Sequence, residues 1–435
     1  GFPSGGSGKH MQIKPFRGWR YRPADGDVSG LIAPPYDVLT AADKDRLLEG
    51  EARNIVAVDL PHVPPKEAGP PEAYAAAAER LARWQREGVL FREDRPALYA
   101  YEQTFELGGV RRTRRAMIAA VRLTALGEDV LPHEHTFAGP KADRLRLTEH
   151  ARTQLSPIFG IFDEPAGRAA PALWSAAAGP PDLTAEIDGQ VERLWAVTDP
   201  EVIRTVTDAL ADVHVFIADG HHRYTTALVY RDGLGDLPPD HPANFVMFVL
   251  TAADDPGLAI WPTHRLIAGL RGFDLAGFRE AGDGAFDFRD VEIAPEQAVD
   301  ADAFLRPFGE HAIGLLAGDR ACVAPPRDLS VMAEVAPDQI DAWRQLDVSI
   351  LHALLIDRCL APWTTPETAV TYTADGPTAV AAAREGRADL ACLLQATPMR
   401  AVEEIALAGA FMPHKSTYFY PKVATGMVMY PLTME

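Results

Sequence analysis

The 435-residue chain has only three cysteines, Cys322, Cys359 and Cys392, and is short of positive charge: 42 Lys and Arg stand against 61 Asp and Glu, a net charge of −19. Cysteines this far apart build neither a disulfide framework nor a CxxC metal knuckle, so reduced, structural thiols are expected. The acidic balance opposes general attraction to nucleic acid or anionic lipid, and an anionic substrate must find a local basic pocket. No stretch approaches the ~20 apolar residues of a membrane helix, and Met11 is not followed by a secretory apolar region, so a cytoplasmic location is expected. Internal repeats and long low-complexity tracts are also missing.

Residues 1–10 are glycine-rich and read as a tag outside the fold, with Met11 opening the first apolar segment. The near P-loop in that tag fails because Pro3 stands where the first glycine belongs and His10 where a magnesium-binding hydroxyl belongs.

The rest, in a chain that is 47% hydrophobic, alternates strand-like and helix-like segments, which predicts a mixed α/β (α+β) enzyme. Thr40 with Asp43 predicts a capped helix that Gly50 can close, and an alanine-rich helix runs from Pro71 to Glu87 and stops at Gly88. Ala97–Leu107 and Val110–Leu123 read as a hairpin turning at Gly108-Gly109. Its Arg111, Arg112, Arg114 and Arg115 read as a solvated edge that discourages aggregation. A strand over Val213–Ala218, a helix over Tyr224–Arg231 and a strand over Phe245–Leu250 suggest a βαβ-like unit. Later, Leu346–Cys359 reads as helix, Leu390–Leu394 as strand, Thr397-Pro398 as the start of a helix ended by Gly409, and 418–429 as strand-like.

The densest chemistry is Asp219-Gly220-His221-His222-Arg223, where a buried strand ends and a helix begins with unpaired amides, an anion-binding arrangement. Cations at that end oppose the helix dipole unless an anion compensates them. The plainer alternative makes Asp219 an N-cap and the histidines ordinary turn residues. A second group is the loop Pro132-His133-Glu134-His135-Thr136 leading into a helix with Lys141, Arg144, Thr148 and Arg152, whose spacing predicts one basic face. Glu134 can act as a base or magnesium partner. The alternative for this helix is an ordinary basic surface. A third is Lys415-Ser416-Thr417, a point charge with two hydroxyls suited to phosphate. The fourth, Ala33 to Val38 with Tyr36 and Asp37, is either a substrate turn or a helix entry. No metal site is expected: Phe137 breaks the HExxH pattern that His133 begins, and no acid completes a zinc set with His133, His135, His221 and His222.

With these residues in hand, the sequence resembles the family catalogued as domain of unknown function 1015. Met11 to Trp19, Pro35-Tyr36-Asp37-Val38, His133-Glu134, Asp219 to Arg223, Leu346 to Leu351 and Lys415-Ser416-Thr417 fall in the family's order. It departs from the family's pattern at His414 and Tyr420. The resemblance implies a ParB/sulfiredoxin-like core and free serine kinase activity with pyrophosphate as donor, giving O-phosphoserine. It implies a catalytic α/β region over 11–300 containing that core, and a C-terminal α/β lobe over 301–435 that closes the site. On this view Glu134, Asp219 and His222 are catalytic. Gly220, His221, Arg223, Lys141, Arg144, Lys415, Ser416 and Thr417 bind phosphate, and Tyr36, Asp37, His135 and Arg152 bind substrate. Magnesium arrives with the phosphate donor, the partners are the donor and a small hydroxyl acceptor, and neither membrane nor nucleic acid is expected. The competing readings are a ParB-like nucleic-acid module and a histidine-rich metal-dependent hydrolase. A sulfiredoxin-type reductase is excluded because its cysteine is replaced by His221.

Overall fold

The computed structural model describes residues 11–65, 67–135 and 138–434, the side chains of 138–140 excepted. The expected tag at 1–10, its near P-loop, Thr136 and Phe137 lie outside the described residues. The chain divides into two compact units: one runs to Leu258 and resumes at Pro421, the other is Ala259–Tyr420.

The first unit is built on a mixed sheet. Its described strands are β1 (Ile13–Lys14), β2 (Leu98–Leu107), β3 (Val110–Arg122), β4 (Val130–Leu131), β5 (Ile158–Phe162), β6 (Leu183–Ile187), β7 (Gln190–Val197), β8 (Val215–Asp219) and β9 (Phe245–Ala252). The order is β4-β8-β5-β9-β3-β2-β7-β6, with β1 also pairing with β3. Among the described residues seven α-helices accompany it: α1 (Ala41–Gly50), α2 (Val56–Asp59), α3 (Pro71–Arg86), α4 (Ala138–Ala151), α5 (Ala169–Ala176), α6 (Pro200–Ala209) and α7 (His221–Gly233). Local rules explain several of these. Thr40 and Asp43 form the reciprocal capping box of α1, and α3 starts on Pro71 and is followed by left-handed Gly88. The hairpin of β2 and β3 turns at Gly108 and Gly109, both at positive φ. Buried on both faces, β5 reads as an unbroken apolar run, and with Val215, Ile217, Tyr224, Phe248 and Leu250 it forms the core.

Two sequence expectations fail here. β8 and β9 do not form a parallel βαβ pair: β5 lies between them, antiparallel to β8 and parallel to β9. An all-apolar strand carries no signal of its direction, so the pattern could not reveal this. Nor are all the arginines of β3 on a solvated edge: Arg111 and Arg115 are exposed as expected, but Arg114 is not. Arg114 is fully buried, stacked 4.3 Å from the Phe159 ring and hydrogen-bonded to Gln103 and to the carbonyl of Pro421.

The second unit carries an antiparallel sheet of β10 (His264–Ala268), β11 (Arg289–Val291), β12 (Ile313–Ala317), β13 (Arg320–Ala324), β14 (Ala369–Thr373) and β15 (Leu390–Leu393), in the order β11-β13-β12-β15-β10-β14. Its core contains all three cysteines, buried and free. The expected helix at 346–359 opens as one α-turn and continues from Ile350 to Cys359 with wider π-helical turns. The helix before Gly409 spans Met399–Leu407. Of the strand expected over 418–429 only Tyr418–Tyr420 forms, in this unit; the next strand, Tyr430–Pro431, starts just beyond that range, in the first unit.

Candidate active site

Strand β8 ends at Asp219, and Gly220 then takes a left-handed conformation (φ 98°, ψ 27°) that turns the chain into α7 with no side chain capping the helix. A Cβ at Gly220 would stand 3.1 Å from Arg223 Nε and 3.3 Å from Ile158 Cγ2, in a backbone conformation that L-residues disfavour. The first hydrogen bond of α7 runs from the Tyr224 amide to the Gly220 carbonyl, so the amides of His221, His222 and Arg223 precede the intrahelical ladder. That end of the helix carries partial positive charge.

Two cations reinforce it. Asp219 sits between Lys422, whose Nζ is 3.2 Å from Oδ1, and Arg223, whose Nη2 is 3.0 Å from Oδ2. Burial alone would raise the carboxyl pKa, but Lys422 and Arg223 together hold it far below the usual range. Asp219 is therefore a pinned carboxylate that places two cations. Arg223 also donates to the Pro157 carbonyl, while its buried Nε–H has no partner among the described residues. The sequence reading missed Lys422; its only signal was a lysine a few residues past the flagged Lys415.

The histidines divide. His221 and His133 are buried with rings 4.8 Å apart, and the His133 amide donates to His221 Nε2 at 3.3 Å. Burial lowers both pKa values, His221 most strongly. His221 thus ties the 132–135 loop to the start of α7 as a neutral imidazole. His222 is half-buried, its pKa lowered by burial and then by Lys141, with Asp37 and Glu134 acting the other way. That interaction set gathers Asp37, Glu134, Lys141, His222 and Arg223 at one end of α7. His135 is exposed on the same loop as Glu134.

Tyr36 lies in a one-turn 3-10 helix, buried, with the Arg144 guanidinium 3.9 Å and the Arg223 guanidinium 5.8 Å from its ring centroid. Arg144 is buried too, its donors engaged by Asp143 and by the side chain and carbonyl of Asp59. The expected basic face of α4 is broken at Arg152: the helix ends at Ala151, and Arg152 (φ 46°) closes it by donating its amide to the Thr148 carbonyl. Lys415, Ser416 and Thr417 belong to the second unit. There Lys415 is left-handed (φ 56°), and buried Arg265 holds the carbonyls of His414 and Lys415 at 3.1 and 3.0 Å.

Among the described residues no group of three or more His, Cys, Asp or Glu could hold a metal ion. Both oxygens of Asp219 already face cations, Lys422 and Arg223.

The fold is that of a mixed α/β protein in which strand β8 passes into helix α7 through a glycine turn flanked by Arg223 and Lys422. The chain belongs to the family described as "Protein of unknown function (DUF1015)", whose model matches residues 13–349. No curated protein matches it. Among solved structures, it is similar to a mutant free serine kinase in complex with AMP, at 14% identity over 72% of this chain and 92% of that one, with a TM-score of 0.33. A conserved hypothetical protein from Pyrococcus furiosus matches at 15% identity, 72% and 95% coverage and a TM-score of 0.33. C-terminally truncated SbnI from Staphylococcus aureus matches at 12% identity, 72% and 87% coverage and a TM-score of 0.34.

Proposed function

We propose that this protein is a phosphotransferase on a ParB/sulfiredoxin-like core, passing a phosphoryl group from pyrophosphate or a nucleotide to the hydroxyl of a small acceptor, free L-serine by family resemblance. The carrying observation is the turn at Gly220. Its left-handed backbone opens an uncapped helix N-terminus beside Arg223 and Lys422, in a chain whose net charge is −19. Local cations in an acidic molecule select a small anion over a polyanion surface.

Phosphoryl transfer asks the protein mainly to position groups and stabilise charge. In this reading the amides of residues 221–223, with Arg223 and Lys422, hold the donor's terminal phosphate, and Lys141 neutralises the far side. Asp219, paired with two cations, is a weak base, which leaves Glu134 to take the acceptor's proton and half-buried His222 to assist. Magnesium would come as the donor's own counter-ion, and no step depends on a residue binding it. The test is a product assay pairing pyrophosphate, ATP or ADP with serine and other small alcohols. Phosphoserine from any donor supports the reading, and no phosphorylated product from any pair overturns it.

A further inference from the structure

The segment that delivers Lys422 to Asp219 is itself gripped from the opposite side. Gln103 on β2 donates its amide N–H to the Lys422 carbonyl at 3.1 Å, and Arg114 on β3 donates to the Pro421 carbonyl at 2.8 Å. Two paired strand residues therefore fix the two consecutive positions Pro421 and Lys422.

They are also locked to one another. Arg114 donates to the Gln103 side-chain oxygen, Gln103 donates at 3.1 Å to Glu192 on β7, and Tyr101 donates at 2.5 Å to the same carboxylate. Gln103 and Tyr101 are 1% exposed, Arg114 and Glu192 not at all. A buried network of this kind holds its members to a single geometry only when every link is made. The extended sequence gap, Gln103 to Lys422, means nothing local sets the lysine's position.

We propose that Gln103 and Arg114 are positioning residues for the anion site, setting the Lys422 ammonium against Asp219 by holding the backbone on which it stands. The inference rests on the reading of the Gly220 turn as an anion site. Glu192, faced by Tyr101, Gln103 and Arg114, completes the network; Asp255 also acts on Arg114. Burial pushes the Glu192 carboxyl up to about 7, so protonation near neutrality loosens the link to Gln103.

The test uses the full chain and pyrophosphate alone, titrated by calorimetry from pH 6 to 8. Lys422→Ala reports whether the lysine belongs to the anion site: no binding by wild type, or unchanged binding by K422A, overturns the reading of the site itself. Given a loss with K422A, Gln103→Met, similar in size but unable to donate, is expected to weaken pyrophosphate binding about tenfold. It is expected to add nothing in the K422A background, the signature of coupling. Undiminished binding by Q103M, or the same loss with and without Lys422, overturns the positioning role. Glu192→Gln, which keeps the carboxyl's shape, is expected to fold and to flatten the pH dependence of binding between 6 and 8. An unaltered pH profile with E192Q removes Glu192 from the network's function.

Discussion

At the residue scale the site turns on two positions whose roles the structure separates. Gly220 was legible in the sequence, because a glycine between a buried strand and a polar helix start predicts a left-handed turn. Gly220→Val puts a branched side chain at φ 98° against Arg223 and Ile158, a strain of about 1–3 kcal/mol. It is expected to abolish turnover and pyrophosphate binding while the circular dichroism spectrum stays native; normal turnover would remove the turn from the site. Asp219 was legible only as one of two possibilities, cap or base, because a sequence does not show which cations reach it. With Lys422 and Arg223 on its two oxygens, Asp219→Asn leaves two largely buried cations without the negative charge between them. The variant should therefore be less stable than wild type, and phosphate should raise its melting temperature more than it raises that of wild type, since the added anion replaces the lost one. Equal phosphate shifts would contradict that arrangement. Glu134→Gln is the complementary test: a base role predicts a ~100- to 10,000-fold fall in turnover with anion binding retained.

At the element scale, periodicity, caps and turns gave the hairpin, α1, α3 and α7 their places because each is specified by residues within a few positions of one another. What stayed hidden depends on distant partners: the direction of β8 relative to β9, the burial of Arg114, and the ending of α4 before Arg152, whose carbonyl accepts from the Leu432 amide. Alternation along β3 does place Arg114 opposite Arg115, but a sequence does not say that Gln103, Glu192 and Phe159 await it. The same buried network has a consequence for stability. A carboxyl whose folded pKa is raised binds its proton more tightly in the native state, so its contribution is complete below the unfolded value of 4.5 and is lost as pH rises through the folded value of about 7. Melting temperature should thus decline from pH 5 to 7.5 in wild type and decline less in Glu192→Gln. Parallel curves for the two proteins would show that Glu192 does not titrate in this window.

At the scale of the whole molecule, the first unit is discontinuous in sequence: it resumes at Pro421, immediately before Lys422. Asp254-Asp255-Pro256-Gly257 marks a turn just before Leu258, but nothing in composition marks Tyr420 as a boundary, and so the sequence offered no reason to separate Lys422 from Lys415. The second unit begins and ends on one antiparallel ladder, Ala259–Trp261 against Tyr418–Tyr420, with Ala259 directly opposite Tyr420. Paired residues in such a ladder have Cα atoms roughly 5 Å apart, a span that two or three flexible residues bridge easily. The unit thus has the geometry of an insertion, and insertions with adjoining ends can be removed when the parent keeps its own core. The first unit does: its cluster of buried residues around Ile158, Ile217 and Phe248 is drawn wholly from that unit. Replacing Ala259–Tyr420 by Gly-Ser-Gly is therefore expected to leave a protein that melts in a single cooperative step and binds pyrophosphate through Gly220, Arg223 and Lys422. Heat denaturation and calorimetric titration measure the two properties separately. A folded variant that no longer binds would place essential anion contacts in the excised unit, with Lys415 the first to examine by Lys415→Ala in the full chain. A variant that does not fold at all would show that the first unit's core is insufficient without the inserted one.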